Sequence, residues 1–133
     1  MTKDESKVSA AIATSVNKLG KGLLERIYIE SLIYELEKNG LTVYRDKEMI
    51  VKYERISIKT FTTIDLLVNN KVVIMIKKKS EPEDIFMSKV QTLFKLSKYN
   101  SIILLDFSIL ELDCLIRGIN EYNYEPGYFK EKN

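Results

Sequence analysis

Two hydrophobic rhythms divide the chain. Val8, Ala11, Ile12, Ser15, Val16 and Leu19 recur at three- and four-residue spacing, which predicts a first helix from about Lys7 to Leu19. Gly20-Lys21-Gly22 interrupts it. A second helix is predicted from near Leu23, turning Leu24, Ile27, Tyr28, Leu32, Ile33 and Leu36 inward and stopping at Asn39-Gly40. The rhythm then shortens. Leu41 to Tyr44 reads as extended, Met49 to Tyr53 alternates around Ile50 and Val51, and Ile56 to Val68 is rich in β-branched residues. Asn69-Asn70 predicts a tight hairpin turn into a strand over Val72 to Lys78. Ser80 to Asp84 reads as a loop entering a third helix, with Ser80 or Glu81 near its start. That helix carries Ile85, Phe86, Val90, Leu93, Phe94 and Leu96, and Asn100-Ser101 ends it. Ile102 to Phe107 is an apolar run, the pattern of a strand buried on both faces, and Leu110 to Ile116 predicts a last strand.

The predicted order, α-α-β-β-β-α-β-β, belongs to an α/β domain with a mixed β-sheet flanked by helices. A length of 133 residues suits one domain over 1–133 with one core. Its end, about residues 120–133, is a polar and aromatic tail with Tyr122, Tyr124, Tyr128 and Phe129. Such an arm docks on its own domain or on a partner, and tyrosine is favoured at interfaces.

Composition narrows the chemistry. The chain has no histidine and a single cysteine, Cys114, which reads as a buried inert thiol. A structural zinc site, a histidine acid/base and a Ser-His-Asp triad are thereby excluded. Any reaction must run on carboxylates, lysines and an oxygen-bound metal. A net charge of +2 is too small to argue for nucleic acid by itself. No apolar run is long enough to cross a membrane, and Met1 to Lys7 lacks the apolar core of a secretion signal. The expectation is an intracellular, non-secreted protein, cytoplasmic or associated with the nucleoid or nucleus.

Three stretches carry a resemblance. One is Gly22-Leu23-Leu24-Glu25-Arg26-Ile27-Tyr28 after Leu19-Gly20. The second is Ile64-Asp65-Leu66-Leu67-Val68, followed by a short turn and Lys71-Val72-Val73. The third is Lys77 at the end of that next strand, with Gln91 in the helix beyond. Together, from about Ser9 to Asn120, they resemble the GxxExxY proteins of the PD-(D/E)XK nuclease superfamily. The resemblance implies a restriction-endonuclease-like core and a Mg²⁺-dependent nuclease site. In it Asp65 matches the metal-binding aspartate and Lys77 the lysine that polarises the attacking water. Glu25 matches a helix glutamate beside the metal, and Gln91 a polar helix residue near the cleft. The chain departs from the pattern at the central acid, two residues before the lysine, where Met75 stands. Thr63 also replaces the basic residue often found before the aspartate, and Ser88-Lys89-Val90 replaces the polar residues that often precede the glutamine.

Strand alternation would set Met75 and Lys77 on one face, toward Asp65, with Lys78 on the other. A thioether is a poor ligand for Mg²⁺, a hard cation that prefers oxygen. The expectation is therefore a catalytically inactive domain with no cofactor, in which Asp65 pairs with Lys77 and the remnant site is Asp65, Lys77, Glu25 and Gln91. Asp65 and Glu25 are only weak metal candidates. The enzyme alternative is a Mg²⁺-dependent nuclease in which Glu25, or Glu83 or Asp84 at the third helix, supplies the missing acid. A further alternative is a non-cleaving nucleic-acid binder gripping phosphates through Lys77 and Lys79, though charge runs are usually solvated faces. The preferred role is a structural or binding component that self-associates or joins a protein partner in a larger assembly. The abundance of Lys, Ile, Asn and Tyr fits an AT-rich genome, bacterial or that of a large DNA virus, and in the viral case a particle-associated role follows.

Overall fold

The first helix begins five residues before its apolar periodicity does, because Thr2 caps it. In a computed structural model, described here for residues 2–99, 101–107 and 116–117 (the last two by backbone alone), α1 spans Lys3–Leu19. Thr2 Oγ1 accepts from Glu5 N at 3.1 Å, and Glu5 Oε1 accepts from Thr2 N at 2.8 Å, a reciprocal capping box. Glu5 also accepts a hydrogen bond from Ser101 Oγ at the start of a distant strand. These bonds hold the Glu5 carboxyl below its ordinary value, the Ser101 hydroxyl contributing most. Thr2→Ala is expected to lower stability by about 1 kcal/mol, seen as a lower urea midpoint with an unchanged slope.

The second helix, α2, spans Glu25–Lys38 and closes through Asn39 and Gly40, the latter at φ 82°. β1 (Val43–Tyr53) and β2 (Ile56–Val68) then form a long antiparallel hairpin. The two extended segments expected before Ile56 are thus one strand. It carries a break at Asp46, whose φ is 50°, and a register shift between Glu48 and Ile50. Asn69 and Asn70, at φ 53° and 56°, make the predicted two-residue turn, closed by Lys71 N to Val68 O at 3.0 Å. Positive φ at both central residues matches the twist of the flanking strands, and asparagine tolerates it.

β3 is Val72–Ile76, α3 is Glu83–Leu96 and β4 is Ser101–Leu105. β3 stops two residues short of the expected Lys78. α3 starts at Glu83, not at Ser80 or Glu81, because Pro82 disfavours helical backbone in the residue before it and fixes its own φ at −61°. It ends at Ser97, whose hydroxyl and N–H both bond Leu93 O. β5 is Ile116–Arg117, antiparallel to β4. The rest of the expected last strand, Cys114 and the tail lie outside the described residues.

The five strands among the described residues lie in the order β1-β2-β3-β4-β5, with only the β3–β4 pair parallel among β1–β4. This is a mixed sheet between helices, in the predicted element order and consistent with a restriction-endonuclease-like fold. Leu66, Val68, Val72, Ile74, Ile76, Ile103 and Leu105 pack against α1 and α2; Leu67, Val73, Met75, Ile102 and Leu104 pack against Phe86, Val90 and Leu93 of α3. β3 is therefore buried on both faces, which explains its unbroken apolar run. Among the described residues no helix is long and apolar enough to cross a membrane.

Candidate functional site

Side chains in β2 stop alternating at Asp65. Leu66 and Val68 pack on the α1–α2 side, but Ile64, which regular alternation would place with them, packs on the α3 side. The β2–β3 ladder ends at Leu66↔Ile74, and the Asp65 carboxylate takes over from the backbone there: Oδ2 accepts from Ile76 N at 2.7 Å. The opposing strand breaks at the same level, at Asp46. Asp65 is thus an acid built into a strand irregularity, its side chain only 18% exposed.

The cation that meets it is Lys78. Its Nζ lies 3.3 Å from Asp65 Oδ1 and donates to Ile76 O at 3.5 Å. The expected Asp65–Lys77 pair is corrected by this geometry. Alternation cannot be extended beyond Ile76, because the strand ends there and the chain enters a turn closed by Glu81 N to Lys78 O at 3.1 Å. Lys77 instead bonds Leu105 O through its N–H at 2.9 Å, while its Nζ donates to Lys78 O at 3.4 Å. Met75 is 2% exposed and sits in the α3-side core with Val73, Leu67 and Leu104.

Glu25 is the first residue of α2 and lies within electrostatic reach of this pair. The loop before it explains the local sequence. Gly20 and Gly22 adopt φ 77° and 85°, conformations that strain other residues. Tyr28, one turn into α2, donates its hydroxyl to Gly20 O at 2.5 Å and accepts from Leu23 N at 3.3 Å. Its ring is 1% exposed and stacks on Phe107, centroids 5.3 Å apart. The two glycines let the chain turn, Tyr28 locks the turn, and Glu25 is delivered to the end of β3.

Four residues that sequence reasoning did not place in the site complete it. Glu81 accepts from Lys78 N at 3.4 Å through Oε1 and pairs with Lys89 of α3 at 2.5 Å through Oε2. Asp106, buried just past β4, acts on Glu25 from the neighbouring strand end. Its signal was the one acid within the apolar run Ile102 to Phe107, next to the level of the parallel pair Ile76↔Leu105. Lys78 and Lys89 are the cations. Gln91 is half-buried on the opposite flank of α3 from Lys89, two residues and about 200° away, so it does not join this group. Glu83 and Asp84 open α3, and Asp84 Oδ1 accepts from Ile85 N at 3.0 Å. Lys79 is exposed in the turn.

The acids share too little solvent. Burial pushes the Asp65 carboxyl above its ordinary value, against the pull of the Ile76 N–H and of Lys78. Burial also raises Glu25; Lys78 opposes this, while the negative charges of Asp65, Asp106 and Glu81 reinforce it. Burial works the same way on Glu81, but the hydrogen bond from Lys89 and the Lys78 N–H outweigh it and hold that carboxyl low. Among the described residues no three acids are arranged to share a metal ion. The donor set does not fit the Mg²⁺ that the sequence resemblance implies: one buried carboxylate is engaged by a backbone N–H and an ammonium, and its strand neighbours on β3 are apolar.

Compared with known proteins, residues 2–117 match the family model of the PD-(D/E)XK nuclease superfamily. No curated protein and no solved structure matches the chain.

Proposed function

The chain belongs to the PD-(D/E)XK nuclease superfamily, and from that premise we propose that it is a non-cleaving member, of the GxxExxY type, that serves as a structural or binding component of a larger assembly. One observation carries this reading. The superfamily's lysine is preceded two residues earlier by a metal-holding acid, and both ways of counting that position give an apolar, buried residue. Counted from Lys77 it is Met75, and counted from Lys78, the lysine that meets Asp65, it is Ile76; each is 2% exposed. Without that acid, the strand pair β2–β3 offers a metal only the Asp65 carboxylate. Lys78 already neutralises it, and a metal would have to displace that pair. In a large DNA virus, one of the two sources that the composition fits, the role would be particle-associated.

The test is incubation of the purified protein with single- and double-stranded DNA and RNA, with Mg²⁺ or Mn²⁺. No cleavage above that of Asp65→Ala is expected. Metal-dependent cleavage that vanishes in Asp65→Ala and in Glu25→Gln would replace the proposal with a nuclease rescued by Glu25. Salt-sensitive nucleic-acid binding, weakened by removing the charges of Lys77 and Lys79, would replace it with a non-cleaving nucleic-acid binder.

A further inference from the structure

The hairpin outruns the sheet. β2 pairs with β3 only through Leu66, Leu67 and Val68, so from Lys47 to Tyr53 the ladder neighbour of β1 is β2 alone. β1 is the end strand of the sheet. Its outer edge over this stretch presents backbone donors and acceptors without a ladder partner among the described residues. The flanks are apolar and open: Ile50, Tyr53, Ile56 and Ile58 are 46, 60, 56 and 42% exposed. Phe61 is 91% exposed at φ 59°, an outlier for a bulky residue, at the bulge where the hairpin register shifts.

Exposed edges are ordinarily blunted by charged side chains, proline or bulges, and here the hairpin carries charges and a register shift. This edge has no proline, and its charges alternate in sign. Between the positive-φ residues Asp46 and Glu54 the backbone is extended, so Glu48, Ile50 and Lys52 share one face. Read antiparallel to itself, Glu-x-Ile-x-Lys is its own complement.

We propose that the edge of β1 binds a second copy of this chain, antiparallel, about a twofold axis through Ile50, joining the two sheets into one. In that register Glu48 of each copy faces Lys52 of the other, and Ile50 faces its own equivalent. On the opposite face Met49 and Val51, buried within each copy, take opposed register positions, and Lys47 stands opposite the Tyr53 ring. Moving the axis to Val51 sets Glu48 against Glu54 and Lys47 against Arg55. Moving it to Met49 sets Glu48 against Ile50. Only the Ile50 register matches both charges of the Glu48–Lys52 face. The inference rests on the reading of the chain as an associating component and names the partner and the surface. The paired edge is short, so the dimer is of order micromolar in affinity.

Sedimentation equilibrium over a concentration series tests it. Glu48→Lys and Lys52→Glu lie on the exposed hairpin and leave the core untouched; circular dichroism checks that each variant is folded. Each alone turns two attractive contacts into two repulsive ones and is expected to raise the dimer dissociation constant about tenfold. An equimolar mixture of the two restores every pair in a heterodimer and should associate at least as tightly as the wild type. A wild-type protein that stays monomeric at its highest soluble concentration overturns the proposal. Single variants that dimerise like wild type overturn the interface and leave self-association standing through another surface. Weakened variants that do not rescue each other overturn the register. None of these outcomes bears on cleavage, so the assay for cleavage and this one fail separately.

Discussion

Tyr28→Ala is expected to destabilise the protein by about 3–5 kcal/mol, and Tyr28→Phe by about 1 kcal/mol. The larger figure follows from burial. The ring is 1% exposed, stacks on Phe107 and lies in the core between the two N-terminal helices and the sheet. Removing it leaves a cavity that helices pinned at both ends cannot collapse into. The smaller figure isolates the hydroxyl, which joins Gly20 O and Leu23 N and so closes the turn between α1 and α2. Against a total stability of about 5–15 kcal/mol for a domain, the alanine variant sits near the unfolding threshold at 37 °C. Urea unfolding of the three proteins measures both numbers. Amide exchange adds a local reading: in Tyr28→Phe the Leu23 amide should lose protection while β3 and β4 keep theirs. If Tyr28 served a ligand and not the fold, both variants would unfold within about 1 kcal/mol of wild type, and the stacked, bonded geometry would have no energetic meaning.

The heptapeptide around Tyr28 shows what a sequence can reveal. Its placement before a β-hairpin was legible, as was the Asn69-Asn70 turn, because each rests on local backbone preference. The double-sided burial of β4 was legible from its unbroken apolar run. The start of α1 was missed although Thr2 and Glu5 spell a capping box, because apolar periodicity begins only at Val8. The start of α3 was misplaced because Glu81 looks like a first-turn acid. Its carboxylate is instead engaged by Lys78 N and Lys89, and Pro82 separates it from the helix. At the site, counting by twos from Asp65 to Lys77 assumed unbroken strands. Asp65 is where β2 changes face, and β3 ends before either lysine. The identity of the acid was readable; the identity of its cation depended on two irregularities that periodicity cannot express.

That cation makes the last prediction. Lys78→Met is expected to lower stability at neutral pH by about 1 kcal/mol, the modest figure of a half-exposed ion pair, while Asp65→Asn is expected to be neutral or stabilising. The asymmetry comes from desolvation. Removing Lys78 leaves a buried carboxylate with one backbone N–H, the charge of Lys89 and a negative neighbour in Glu25. Removing the charge of Asp65 keeps an acceptor for Ile76 N and abolishes the cost of burying an anion. The pH dependence has a definite sign. The folded Asp65 carboxyl titrates above its unfolded value of 3.8, so the folded state holds this proton more tightly than the unfolded chain. Its contribution to stability is therefore fully present below pH 3.8 and is lost as pH rises through the folded value. The amide that replaces it in Asp65→Asn does not titrate. The advantage of Asp65→Asn over wild type should therefore grow with pH across that window and stay flat to pH 7. Lys78→Met raises the folded value further, so its deficit should follow the same window and extend it upward. The double variant Asp65→Asn/Lys78→Met should recover most of the loss, because no uncompensated charge remains. Thermal unfolding of the four proteins between pH 3 and 8 measures this cycle. An Asp65→Asn variant that loses stability as pH rises relative to wild type would mean that the carboxylate is favoured in the fold and that the Asp65–Lys78 pair stabilises it outright.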